Sequence, residues 1–199
     1  MRKGSLLVAA ILVAGGVWVM AAADSAGTSA DQQKQMEAMM KLAAPGAQHA
    51  KLKSMAGKFD AAVTWRMSPD QPEQKSQGTC SNEMLFDRYL KQDYSGDMMG
   101  MPFKGTGLVA YDNAKQKYVS TWADSMSTGI MVMEGEADAG GNVITQKCEM
   151  DCPLEPGKKM QSRMVTTIKD ENTHTAEMFQ TPPGGKEFKC MTIQYTRAK

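Results

Sequence analysis

The chemistry most densely packed in this sequence is that of sulfur. Met98-Met99-Gly100-Met101 places three thioethers within four residues, and the chain carries 19 methionines in all. Thioethers are soft ligands that select Cu(I), so Met98, Met99 and Met101 form a candidate metal loop. No Met-x-x-Met array repeats, and no histidine lies nearby. The plainer reading is an apolar turn in which methionine is adaptable filler. Cys148 and Cys152 are spaced C-x-x-x-C, whereas zinc sites favour paired C-x-x-C elements or adjacent histidines. His174 directly follows the Asp170-Glu171-Asn172 turn and reads as a rim residue. A lone histidine without partner ligands makes a poor metal or haem site. His49 lies in a helical stretch, where capping is its ordinary role. Asp124-Ser125 offers an acid and a hydroxyl, but adjacent strand residues face opposite sides, and no G-x-S-x-G is present. Glu134 and Glu136 share a strand face and read as a solvated outer strip. Gly105-x-Gly107 is too short for a phosphate loop. No catalytic constellation and no cofactor motif emerges, so a binding protein is expected rather than an enzyme.

The N-terminus sets the compartment. Arg2 and Lys3 precede an uncharged run from Ser5 to Ala23, and Ala21-Ala22-Ala23 supplies the small-x-small pattern of a signal peptidase site. Residues 1–23 therefore read as a signal peptide, and the mature protein as periplasmic or secreted. The alternative is an uncleaved helix that tethers it to the inner membrane, since spanning needs about 20 apolar residues. Export makes disulfides the default for the four cysteines. Their count alone does not choose a connectivity. Cys148 and Cys152 are close enough in sequence to staple one loop, which would leave Cys80 with Cys190.

The formal net charge is +1, from 23 basic and 22 acidic residues. That balance, without a basic cluster, argues against a nucleic-acid partner. Residues 24–46 read as a polar linker followed by an amphipathic helix over 31–44. Asp31 is its expected N-cap, Met36, Met39, Met40 and Ala43 its packing face, and Pro45-Gly46 its end. A second short helix is expected over 47–55, with Leu52 and Met55 on one side.

From Phe59 onward the texture changes. Strands are predicted near 59–67, 76–86, 88–96, 103–111, 115–124, 128–138, 142–150, 160–169, 173–180 and 186–197. The clusters between them are strand breakers, such as Ser68-Pro69-Asp70 and Pro182-Pro183-Gly184-Gly185. About ten strands with no intervening helix form a meander that avoids exposed edges by closing into an up-and-down barrel. Residues 47–199 are thus expected to be a single antiparallel β-barrel domain. Alternation puts Met191, Ile193 and Tyr195 on one face, and Met131 and Met133 on another strand's inner face. Tyr118, Trp122 and Asp124 share a face, with the carboxylate at a cavity mouth or bonded to turn amides. Pointing inward, Tyr118, Trp122, Asp124, Met131, Met133, Met191 and Tyr195 would line a site for a small apolar ligand. The alternatives are a metal-handling role for the Met98–Met101 loop and a structural role in the envelope.

One block is more specific than these patterns. Phe103-Lys-Gly-Thr-Gly…Tyr111-Asp112, followed by Thr121-Trp-Ala-Asp-Ser-Met-Ser-Thr128, resembles the family catalogued as domain of unknown function 1579. His49-x-x-Leu52…Gly57-Lys58-Phe59 and the closing Met191-Thr-Ile-Gln-Tyr195 extend the likeness over residues 45–197. The resemblance implies a small bacterial protein, often exported, with a calycin-like antiparallel barrel. It implies no particular activity. The Cys148–Cys152 segment departs from the family pattern and is expected to be an inserted loop.

Overall fold

The computed structural model describes residues 29–152 and 155–199. Two helices come first, α1 (Ser29–Ala43) and α2 (Ala47–Ser54). Five strands follow: β1 (Gly57–Trp65), β2 (Gln74–Leu85), β3 (Tyr89–Met98), β4 (Met101–Asp112) and β5 (Lys117–Asp124). The other five are β6 (Met131–Ala137), β7 (Val143–Asp151), β8 (Lys159–Ile168), β9 (Thr173–Thr181) and β10 (Phe188–Arg197). Each strand pairs antiparallel with its neighbours in sequence, and β1 pairs with β10 to close the barrel. The expected ten-stranded up-and-down barrel is the fold.

Short polar breakers and period-2 patterning account for the strands. The Met98–Met101 segment shows the local logic. Met98 and Met101 are the last pair of the β3–β4 ladder, and Met99 and Gly100 form the turn with φ of 56° and 75°. Positive φ at both central positions is the hairpin geometry that matches strand twist. The Asp97 carboxylate accepts the Gly100 N–H at 2.9 Å.

One end of the barrel is plugged by α2. His49 Nδ1 accepts the Gly46 N–H at 2.9 Å and so caps the helix. Leu52 and Met55 enter a buried cluster with Leu90, Tyr118, Ile144 and Ile168. Asn82, itself buried, donates its Nδ2 to the Met55 carbonyl at 2.9 Å. Arg197 Nη1 donates to the Ala56 carbonyl at 2.9 Å. Plug and wall are thus joined by both apolar contact and satisfied polar groups.

The wall is not uniform. The β6–β7 ladder runs only from Glu134↔Lys147 to Ala137↔Ile144, whereas β7 and β8 pair along Val143–Asp151. Beyond Glu134 the ladder ends. The Met133 carbonyl instead accepts the side-chain amide of Gln146, at 3.4 Å.

Several expectations are corrected. Helix α1 already includes Ser29 and Ala30, so Asp31 lies in its first turn rather than at the N-cap. No residue of α1 is buried, and Met36, Met39 and Met40 are exposed, so the expected packing face is not buried. Segment 148–151 is not an inserted loop but the continuation of β7. All four cysteines are free. Cys148 and Cys152 stand about four extended residues apart, roughly 13 Å, where a disulfide tolerates less than about 7 Å between Cα atoms. Cys80 pairs with Phe59 near the start of β1. The Cys190 carbonyl accepts the Arg66 N–H just past the other end of β1. That offset alone is about 20 Å, so Cys80 and Cys190 are also too distant to join. The signal-peptide reading and its anchor alternative lie outside the described residues. Among the described residues no helix is long and apolar enough to cross a membrane.

Two expectations follow for measurement. Leu52→Ala is expected to lower the unfolding free energy by about 3 kcal/mol in denaturant titration, whereas Met36→Ala is expected to change it by less than about 0.5 kcal/mol. Thiol titration of the unfolded, unreduced protein is expected to return all four cysteines as thiols; a lower count would show the strand geometry around them to be wrong.

Candidate functional site

The most specific sequence block builds the inner wall. Gly105 and Gly107 sit on the inward face of β4, opposite Asp124 and Trp122 of β5. A Cβ on Gly105 would overlap the Trp122 indole, and one on Gly107 would come within 3.0 Å of it. The two glycines are therefore a shelf for a flat side chain. Trp122 Nε1 donates to Asp124 Oδ2 at 3.2 Å, and Asp124 Oδ1 accepts the Met126 N–H at 2.9 Å. The Ser125 hydroxyl accepts the Lys104 N–H at 3.1 Å. Gly-x-Gly and Trp-x-Asp-Ser thus form one structural unit that fixes an indole and closes a turn.

Inside the closed wall lies a cavity of about 160 Å³. Trp122, Met131, Met133, Met191, Ile193 and Tyr195 line it. Two expected residues fall elsewhere. Tyr118 is buried in the cluster against the α2 plug, and Asp124 is occupied by Trp122 and the following turn; neither is part of the cavity wall. The Met98–Met101 loop divides. Met98 lines the cavity, whereas Met99 and Met101 are exposed, so the loop does not gather its three sulfurs at one point.

Other wall residues carry no mark in the sequence. Met164 and Met178 line the cavity, and in register Met164, Met178 and Met191 are successive cross-strand neighbours on β8, β9 and β10. Flexible thioethers make this wall adaptable in shape. Polar groups interrupt it sparsely. Ser120 donates to Gln146 Oε1 at 3.1 Å, so that pair is internally satisfied. Glu134, by contrast, is held outside by Lys115 at 2.5 Å.

His174 corrects the rim expectation most sharply. It is 3% exposed and lines the cavity. Its ring stacks on Tyr195 at 4.5 Å and meets Phe59 edge-on at 4.7 Å. Its Nε2 has no hydrogen-bond partner. Burial, with the Arg197 charge adding to it, pushes the imidazole down to about 4, so it is neutral near pH 7. The turn at Asp170–Asn172 lies at the plugged end of the barrel, which is why a residue so near a turn is inside. Burial likewise pushes the Cys80 thiol up to about 12, with Asp93 adding to it, and the Cys190 thiol up to about 11. Such thiols are inert rather than nucleophilic.

Ten antiparallel strands, a helical plug and a thioether-rich hollow define a small-barrel protein with an internal cavity. The chain belongs to the family described as protein of unknown function DUF1579, whose pattern spans residues 44–197. No curated protein matches it. Among solved structures, it is similar to Rv2717c from M. tuberculosis, with a TM-score of 0.56, 11% identity, and coverage of 78% of this chain and 100% of that one. It also aligns with a redesigned β-barrel (TM-score 0.39, 14% identity, 74% and 95% covered). A third match is EF1p2_mFAP2b, solved bound to DFHBI (TM-score 0.42, 10% identity, 77% and 100% covered). The first of these likenesses supports the barrel fold.

The neutral buried histidine has a signed consequence. Its folded-state pKa lies below the ordinary 6.5, so between about pH 6.5 and 4 the unfolded chain binds the extra proton. Its contribution is fully present above that window and is lost as the pH falls through it, by up to about 3 kcal/mol. Denaturant titrations at pH 7 and pH 4.5 are expected to show this loss in the wild type and a smaller one in His174→Phe.

Proposed function

We propose that the protein is an exported, non-enzymatic barrel that binds a small apolar ligand. The observation that carries this reading is the cavity of about 160 Å³ inside a closed wall, lined by Trp122, Met131, Met133, Met191, Ile193 and Tyr195. An apolar cavity of about 150 Å³ is enough to hold benzene, and a drug-sized site takes roughly 300–1,000 Å³. The ligand is therefore compact, about one or two rings in size. Methionine side chains can yield further without loss of contact. Export is supported by the charge, apolar run and alanine triplet of residues 1–23. The metal-handling alternative gains no support, because the loop sulfurs of Met98, Met99 and Met101 point to different surroundings.

Filling the cavity tests the reading. Ala176 lines it, and Ala176→Leu adds volume to the wall. Titration of the wild type with indole, followed by ligand-observed NMR, is expected to show saturable binding. Ala176→Leu is expected to weaken it at least about tenfold with an unchanged circular dichroism spectrum, because the added side chain takes the ligand's space. Equal binding by both proteins would place the indole elsewhere and end the proposal.

A further inference from the structure

The cavity is apolar but not featureless. Tyr94 and Tyr195 both line it, and each is only 8% exposed. Both belong to one buried cluster with Cys80 and Phe103. A row of small residues makes room for the phenols. Tyr195 is opposite Ala61, Ala61 opposite Gly78, and Gly78 opposite Gly96. The Tyr94 hydroxyl lies over this row, and a Cβ on Gly96 would come within 2.6 Å of it. Cys80 and Asn82 of the same buried region are already committed. Cys80 Sγ is 3.1 Å from Asn82 Oδ1, and Asn82 Nδ2 donates to the Met55 carbonyl.

Each phenol has one proton to place and prefers to donate it. Among the described residues neither hydroxyl is in a hydrogen bond, and the fully enclosed polar atoms left without a partner are Tyr118 Oη and His174 Nε2, so the Tyr94 and Tyr195 oxygens open onto the cavity. Both are therefore open to an acceptor on a molecule placed in the cavity. The cavity wall also carries no cation. Lys and Arg are absent from it, and Asp97 is its one carboxylate. An anionic ligand would therefore be buried without a countercharge, at high cost.

We propose that the cavity selects a small, uncharged, ring-containing molecule bearing a carbonyl-type oxygen, which accepts hydrogen bonds from the hydroxyls of Tyr94 and Tyr195. This rests on the ligand-binding reading above and adds the ligand's polar group. Few polar groups in an apolar wall fix orientation and specificity in this way. The apolar remainder of the ligand lies against Trp122 and the methionines, where sulfur and ring edges attract each other.

The test uses 1-indanone and indane, which share a ring skeleton and differ in the carbonyl. The measured quantity is the dissociation constant of each for the wild type, Tyr94→Phe and Tyr195→Phe, by ligand-observed NMR. Each variant keeps the ring, and circular dichroism checks the fold. The expected result is a loss of about fivefold in indanone affinity for each variant, with indane affinity changed less than about twofold. If indane binds but the variants leave indanone unaffected, or weaken both probes alike, the carbonyl inference is overturned and the apolar-ligand reading stands. Tighter binding of indane-1-carboxylate than of indanone overturns the requirement for an uncharged ligand. Binding of neither indane nor indanone overturns both readings.

Discussion

Closure of the sheet through β1 and β10, in register from Phe59↔Arg197 to Trp65↔Met191, is the constraint on which everything else depends. A closed sheet leaves no edge, so every strand must commit one face to the interior. With ten strands, that interior exceeds what the inward side chains fill. The surplus is divided by position. At one end, α2 and its C-cap insert Leu52 and Met55 and complete a buried cluster around Tyr118. In the middle, methionine and tryptophan leave a hollow. The cavity is thus the remainder of a packing problem that the helix solves at one end only.

Within that frame, the glycines of the wall act by omission. Gly105 and Gly107 seat the Trp122 indole, and Gly78 and Gly96 make room for the Tyr94 phenol. Large aromatic side chains therefore lie along the wall instead of projecting across the barrel. The hollow survives because these rings lie flat. The same device explains why Gly-x-Gly and Trp-x-Asp-Ser occur together in the most specific block of the sequence.

Much of this was legible from the residues alone. Alternation and turn clusters define all ten strands, and the inward sets Trp122, Met131 and Met133 and Met191, Ile193 and Tyr195 follow from period 2. Legibility failed where parity or proximity in sequence was a poor guide to three-dimensional place. Tyr118 and Trp122 share a face, yet one lies under the plug and the other on the cavity. Asp124 shares that face too, but the following turn takes its oxygens. Cys148 and Cys152 are neighbours in sequence and far apart along an extended strand. His174 adjoins a turn that lies at the plugged end of the barrel. Tyr94 drew no notice because its significance rests on Gly78 of a neighbouring strand and Gly96 of its own. The α1 methionines have helical spacing, but spacing does not supply a surface to pack against.

The short ladder between β6 and β7 bears on how anything reaches the interior. A cylinder opens with least work where the fewest backbone hydrogen bonds bridge adjacent strands. Here that line runs beside Met131 and Met133, beyond Glu134↔Lys147, where the Gln146 amide reaches across to the Met133 carbonyl. Parting this seam would admit a flat molecule sideways, edge first, onto thioethers that yield to its outline. The helical plug would keep its hydrogen bonds throughout. The Gln146–Met133 hydrogen bond would have to break for the seam to part.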